Sequence, residues 1–129
     1  MQDPAIKYYG PNWEVKFNDR DVNVSGFNSA YVTTNGKYEK FETTIMATGF
    51  DIIGQKGPDL GEFDLYVNDQ LIGSYNLNQS IRADQQLLAS YRATDWKNSN
   101  QLRIKLVNKS NKPIRFDAIQ TYGAKVIIN

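Results

Sequence analysis

Hydrophobic and polar residues alternate with a period of two along most of this chain. The segment from Phe41 to Leu77 is the clearest example, because it holds four such runs separated by turn residues and has no helical spacing. One parity of its first run is Phe41, Thr43, Ile45 and Ala47. This period, with β-branched residues, indicates strands that bury one face. The segment therefore predicts a group of strands around which the rest of the chain adds others.

Turn residues separate these runs and indicate how the strands connect. Gly49 interrupts the pattern, which predicts a bulge or a bend where the strand changes sheet. Residues 54–59 are interpreted as a loop, because glycine and proline supply turn geometry. Asn68-Asp69 and Asn35-Gly36 each predict a tight hairpin, since these residue types tolerate positive φ angles.

The flanking segments repeat the same alternation. Three further sets of residues are expected to share a face, namely Trp13, Val15 and Phe17; Leu87, Ala89 and Tyr91; and Leu102, Ile104 and Leu106. In the last long run, Asp117 is predicted to be a buried hydrogen-bond anchor for a loop backbone. Eight to ten short strands without a convincing helix predict an all-β, antiparallel β-sandwich or barrel.

Composition narrows the classes of function. The 129 residues fit one domain, and they include neither cysteine nor histidine, which excludes disulfides, thiolate zinc sites and histidine bases. Fifteen basic and fourteen acidic residues give a net charge of +1, which argues against a nucleic-acid binder that neutralises phosphates. No apolar run is long enough to span a bilayer, so no membrane insertion is expected. The first residues lack a basic region followed by an apolar one, so no signal peptide is expected.

The order of motifs in the chain resembles a known family. The segments GFDIIGQKGPDLGEFDLYVNDQLIGSYNL, QQLLASY, QLRIKLVNKS and IRFDAIQTYG resemble the galactose-binding-domain-like β-sandwich, or jelly-roll, family. Members serve as carbohydrate-binding modules beside bacterial glycoside hydrolases and occur in baseplate and tail proteins of phages of Gram-positive bacteria. The resemblance covers about residues 8–123. It implies a single domain over residues 1–129, which we expect to be excised from a larger protein.

The resemblance implies a non-catalytic carbohydrate-binding module that tethers a larger protein or virion to a cell-surface or cell-wall glycan. Its location would be extracellular, at a cell surface, or on a virion. The alternative is a structural or protein-interaction module of a phage baseplate or another multidomain assembly, without sugar binding. An enzyme is disfavoured, because the carboxylates of Asp59, Glu62 and Asp64 surround one hairpin without an evident cleft between them.

Relatives with this fold usually bind sugars at loops on one edge of the sandwich, where a rigid base supports variable segments. The implied ligand-binding residues here are Asn28, Tyr31, Lys56, Arg82, Asp84 and Trp96. Arginine, aspartate and asparagine present planar polar groups that match sugar hydroxyls. The competing interpretation is that these are solvated loop residues. Two interpretations of Trp96 stay open, an exposed platform for a sugar ring or a residue of the core. Trp13 is expected in the core.

Acidic residues in the first long loop are the candidate metal ligands. Asp19, Asp21 and Asn23 are spaced two apart, as at the start of a calcium loop. An EF-hand is excluded, because Val24 and Ala30 stand where it requires glycine and glutamate. The resemblance implies a structural Ca²⁺ in some relatives, for which Asp19 and Asp21 are the candidate ligands here. No other cofactor is expected.

Overall fold

The computed structural model of the chain describes residues 6–17, 30–94 and 100–123. Within these ranges the chain forms ten strands and no helix. The strands are β1 (Lys7–Tyr9), β2 (Glu14–Phe17), β3 (Ala30–Thr34), β4 (Lys40–Ala47), β5 (Gly49–Lys56), β6 (Glu62–Val67), β7 (Gln70–Asn76), β8 (Ala83–Arg92), β9 (Asn100–Asn108) and β10 (Ile114–Tyr122). None of the described residues belongs to a helix with the length and apolar character needed to cross a bilayer.

The strands form two five-stranded antiparallel sheets that pack face to face. The front sheet has the order β1-β4-β9-β6-β7, and the back sheet has the order β2-β3-β10-β5-β8. This arrangement confirms the predicted all-β sandwich. Asn68 and Asp69 have φ angles of 51° and 67° and join β6 to β7, which confirms the predicted hairpin. The chain passes from front to back sheet between β4 and β5, so Gly49 lies where it was expected to change sheet.

The second predicted hairpin, at Asn35-Gly36, is wrong. The strands on either side of it, β3 and β4, lie in different sheets. The glycine instead permits a close approach, because a Cβ on Gly36 would lie 2.1 Å from a carboxylate oxygen of Glu39. Glu39 is buried and accepts hydrogen bonds from the Thr34 hydroxyl (2.8 Å) and the Asn12 backbone amide (3.1 Å). Packing of this carboxylate, rather than turn propensity, therefore shapes the crossover.

Two residues predicted to face inward are exposed. Val15 is 47% exposed, because β2 is an edge strand of the back sheet. Leu87 is 53% exposed, because the register between β5 and β8 shifts and leaves Leu88 as an extra residue beside Ala89. Leu88 and Ala89 are therefore both buried, as a β-bulge allows. The side chain of Phe17 lies outside the described residues.

Aromatic side chains dominate the core between the sheets. Phe41, Phe50, Phe63 and Phe116 are completely buried. Trp13 packs against this core as expected, with its ring centroid 6.1 Å from that of Phe41. The predicted inward face of β9 is confirmed, since Leu102, Ile104 and Leu106 are all buried. The rigid sandwich therefore fixes which side chains face outward on each sheet.

Candidate functional site

A row of polar side chains crosses the outward face of the back sheet. Arg115 faces outward, because its neighbours Ile114 and Phe116 are buried in the core and side chains alternate along a strand. Its guanidinium carbon lies 5.3 Å from the ring centroid of Tyr31 on β3. On its other side, Nη1 of Arg115 donates a hydrogen bond to Oε1 of Gln55 on β5, at 3.2 Å. Three strands thus contribute one connected set of side chains.

Strand β8 extends this row at the sheet edge. A register shift leaves Asp84 and Gln85 opposite Gln55, and the φ angle of 54° at Gln85 is consistent with a bulge. Arg82 Nε donates to Asp84 Oδ1 at 2.8 Å, and the two side chains are 24% and 14% exposed. We call the set Tyr31, Arg115, Gln55, Asp84 and Arg82 the Arg115 row.

Two buried donors of the Arg115 row have no acceptor among the described residues. They are Nε2 of Gln55 and Nε of Arg115. Gln55 is completely buried. A buried N–H without a partner costs about 1–3 kcal/mol, so such groups are rare in folded proteins. Gln55 and Arg115 could therefore each donate one further hydrogen bond to an oxygen atom of a ligand.

Asp117 adds a second carboxylate close to the row. It lies at a bulge in β10 between Phe116 and Ala118 and is partly buried. Burial raises its pKa to about 6, and the negative charge of Asp84 contributes to the increase. Among the described residues nothing donates a hydrogen bond to this carboxylate, so the predicted anchor to a loop backbone is not found there. The register shift between Phe116 and Ala118 leaves Asp117 without a partner residue in the β5–β10 ladder.

The raised pKa of Asp117 predicts a pH-dependent change in stability. Its folded-state pKa lies above the ordinary value of an aspartate, so the ionised form is disfavoured in the fold and stability falls as pH rises through about 6. We expect Asp117→Asn to match the wild type near pH 4 and to be more stable by about 1–2 kcal/mol at pH 7.5, after discounting for partial exposure. Urea denaturation at both pH values measures this difference. A variant less stable than wild type at pH 7.5 contradicts the prediction.

The residues predicted from the sequence fall into two groups. Tyr31, Arg82 and Asp84 belong to the Arg115 row, and Lys56 adjoins it next to Gln55. Tyr31 is buried with the Arg115 guanidinium over its ring, so it supports the row and does not offer an open face. The other predicted ligand-binding residues, Asn28 and Trp96, and the predicted metal ligands, Asp19 and Asp21, lie outside the described residues.

Gln55 and Arg115 were not predicted as site residues from the sequence, and Asp117 was predicted only as a hydrogen-bond anchor. One signal was available, since Arg115 is a charged residue between two core positions of an alternating strand. Its partner could not be read from the sequence, because Gln55 lies 60 positions away. For metals, no group of three or more acidic side chains in the described ranges can hold an ion. The structural Ca²⁺ therefore stays a prediction.

A second polar cluster lies at the other end of the same face, around Asp51. Its carboxylate accepts hydrogen bonds from the hydroxyls of Ser90 and Tyr122 and from Nη1 of Arg92. Burial alone raises the pKa of Asp51, but these hydrogen bonds outweigh it and hold the pKa below its usual value. The guanidinium of Arg92 also lies 4.1 Å from the ring centroid of Tyr122. The cluster satisfies its own carboxylate and links β5, β8 and β10, which is a structural role.

Comparisons with known proteins bear on the fold. No family model matches the sequence, and no curated protein matches it. A family two carbohydrate esterase from Cellvibrio japonicus is similar in structure, with a TM-score of 0.60, 15% identity, and coverage of 97% of this chain but 34% of the esterase chain. The CBM36-1 domain of a multidomain xylanase from the hindgut metagenome of Trinervitermes trinervoides has a TM-score of 0.54 and 18% identity, with 95% of this chain and 94% of that domain covered.

The two matches cover very different shares of the other protein. This chain spans about a third of the esterase but almost the whole of the CBM36-1 domain. The Agl-KA catalytic domain is also similar, with a TM-score of 0.55, 9% identity, and coverage of 97% of this chain and 27% of that chain. At these identities the likeness concerns the fold alone. The chain has a two-sheet antiparallel β-sandwich fold, which is similar to that of the CBM36-1 domain over nearly the whole length of both.

Proposed function

We propose that this domain is a non-catalytic carbohydrate-binding module that tethers a larger protein to a glycan. The observation that carries the proposal is the Arg115 row, in which planar polar groups from four strands converge on one outward face and two buried donors have no acceptor among the described residues. The match to nearly all of a CBM36-1 domain supports it, because a domain of this size and fold is a complete module in that xylanase.

The chemistry of the row suits sugar hydroxyls. A hydroxyl both donates and accepts hydrogen bonds, so it can accept from Arg82 or the Gln55 amide and donate to Asp84. Hydrogen bonds to charged groups are the stronger kind. Arg82 and Asp84 retain some exposure whereas Gln55 has none, so a glycan would enter at the edge formed by β5 and β8. Gln55 and Arg115 would form the floor beneath it.

Binding at one small site of this kind is weak, and tethering makes it useful. When several modules or sites act on one polymer, the later contacts become intramolecular and the overall affinity rises by orders of magnitude. A glycan at a bacterial cell surface or in a cell wall offers such repeated sites. We therefore infer an extracellular or surface-associated role, with further domains or subunits of the parent protein carrying any catalytic activity.

A glycan array followed by calorimetric titration tests the proposal. We expect binding to one class of neutral saccharide, and about tenfold weaker binding for Arg82→Ala, which loses a charged hydrogen-bond donor. Lys56→Ala should weaken binding less, because Lys56 flanks the row. The matched control is Lys112→Ala, which removes an exposed charge from the loop between β9 and β10 that does not belong to the row.

Two outcomes contradict the proposed function, and a third contradicts the proposed site. Absence of binding to every saccharide, including cell-wall polysaccharide, would favour the protein-interaction alternative, especially with a defined oligomer in solution-mass measurements. Release of reducing sugar from the bound glycan would contradict the non-catalytic role, and would direct attention to Asp84 and Asp117, whose carboxylates interact electrostatically. Unchanged affinity in Arg82→Ala would place the sugar site elsewhere.

A further inference from the structure

The outward face of the front sheet carries a charged groove on the side of the sandwich opposite the Arg115 row. We propose that this groove binds an acidic polysaccharide in which charged and neutral sugars alternate. The site lies across β1, β4 and β9, and β6 flanks it. It shares no residue with the Arg115 row, so the two sites can be tested with different variants.

Two neighbouring depressions form the groove. The first has a volume of about 360 Å³ and the second about 260 Å³. Both are lined by Glu42, Thr43 and Thr44 of β4, which places them side by side. Lys7 and Tyr9 complete the lining of the first; Lys40, Asp69, Arg103, Ile104 and Lys105 complete the second. The groove therefore runs across the strands rather than along them.

Of the residues that the structure describes, four cations and two carboxylates line the groove, so two of the cations have no carboxylate to pair with. Lys40 pairs with Glu42 at 2.8 Å, and Arg103 pairs with Asp69 at 2.7 Å. The other two cations lining the groove are Lys7 and Lys105, and neither has a carboxylate partner among the described residues. Two ammonium groups that no carboxylate of the described ranges neutralises attract a ligand that carries more than one negative charge.

The strand register fixes the spacing of these two lysines. In the backbone register, Lys7 of β1 lies opposite Glu42 of β4, and Glu42 lies opposite Lys105 of β9. The three side chains therefore stand in one line, and the backbones of Lys7 and Lys105 are about 10 Å apart, which is two strand spacings. The order along the line is positive, negative, positive. A chain with a carboxylate at each end and a neutral, hydroxyl-bearing sugar opposite Glu42 fits it, whereas a carboxylate on every sugar would be repelled by Glu42.

Aromatic rings beside the groove favour a sugar chain over other polyanions. Tyr9 is 43% exposed, and Lys40 Nζ lies 5.0 Å from its ring centroid. Tyr66 lies on β6 in register with Lys105, whose Nζ is 4.6 Å from the Tyr66 ring centroid. These contacts keep each ammonium group beside a tyrosine, so a sugar carboxylate could reach the cation while the C–H groups of the same chain contact the exposed part of Tyr9. Two cations without a carboxylate partner in the described part of the chain are too few for strong binding of a phosphate polymer, whose affinity grows with each phosphate neutralised.

Affinity electrophoresis with soluble polysaccharides tests the proposal. The probes are hyaluronan, in which uronate and neutral sugars alternate; polygalacturonate, in which every sugar is charged; and neutral galactan. We expect hyaluronan to retard the protein most, and the double variant Lys7→Ser with Lys105→Ser to bind it about tenfold more weakly. Lys112→Ser, which changes one exposed charge elsewhere, should behave as wild type. Retardation should fall steeply between about 50 and 200 mM salt.

Several results would overturn the proposal. These are no retardation by hyaluronan, equal retardation by galactan, stronger retardation by polygalacturonate, equal binding of single-stranded DNA, or no effect of the double lysine variant. The test separates the two sites, because Arg82→Ala should leave hyaluronan binding unchanged. Likewise the lysine double variant should leave the calorimetric titration at the Arg115 row unchanged, so failure at one site does not imply failure at the other.

Discussion

Replacing Phe116 with alanine should lower the free energy of unfolding by about 4 kcal/mol. Phe116 is completely buried on β10 of the back sheet. Its ring makes edge contacts with Phe41, at a centroid distance of 5.5 Å, and with Phe63, at 5.4 Å, both of which belong to the front sheet. Truncation therefore removes the ring that joins the two layers and leaves a cavity that neither sheet can close without moving its strands.

Urea denaturation followed by tryptophan fluorescence measures this loss. The control is Leu87→Ala, which removes an apolar side chain of the back sheet that is 53% exposed and should change stability by less than about 0.5 kcal/mol. Equal effects of the two substitutions would contradict the described core. A loss below about 1 kcal/mol for Phe116→Ala would mean that the Phe41 and Phe63 rings can collapse into its space.

The strands themselves could be predicted because their signal is local. In β4 and β9 the alternation places Phe41 and Leu106 in the core, and the structure agrees. The hairpin at Asn68-Asp69 was also predictable, since positive φ angles suit those residues at a turn between neighbouring strands. Where one face of the sandwich is buried, a period of two is enough to assign the side chains.

The errors arose where distant residues decide the local structure. At Gly36 the need for a glycine comes from the buried carboxylate of Glu39, and the same dipeptide would make a hairpin in another setting. At Leu87 the alternation fails because a bulge opposite β5 inserts one residue into β8. Edge position, rather than pattern, exposes Val15. Each of these depends on which strands become neighbours, which periodicity alone does not specify.

In the candidate site, too, the residues in a local sequence pattern could be predicted and those brought together by distant strands could not. Arg82 and Asp84 were predicted from the sequence as candidate ligands in one polar loop; the structure places Asp84 in β8 and shows a hydrogen bond between the two side chains, which was not predicted. Gln55 was assigned to a loop, whereas β5 continues through it to Lys56. Its role appears only when β10 lies beside β5 and brings Arg115 against its amide. The sequence therefore indicated the partly exposed residues of the row, Arg82 and Asp84, but not Gln55 and Arg115.

Replacing Gly54 with alanine should destabilise the fold by about 3 kcal/mol and also weaken glycan binding at the Arg115 row. A Cβ at this position would lie 2.1 Å from the backbone oxygen of Arg115 and 2.6 Å from Cδ1 of Leu88. The leucine can change rotamer, but the oxygen belongs to the neighbouring strand β10. Relief of the clash therefore requires β5 and β10 to separate, which displaces Gln55 from Arg115.

Gly73→Ala is the matched control, because it adds the same methyl group to a strand glycine at the edge of the front sheet. Its Cβ would lie 3.0 Å from the Tyr75 hydroxyl oxygen, which belongs to a side chain rather than to the backbone of a neighbouring strand. Denaturation and calorimetric titration of both variants should show a large joint loss for Gly54→Ala and little change for Gly73→Ala. If Gly54→Ala kept full affinity despite its lost stability, the contact between β5 and β10 would not position the row, and the glycan would be bound by Arg82 and Asp84 at the β8 edge alone.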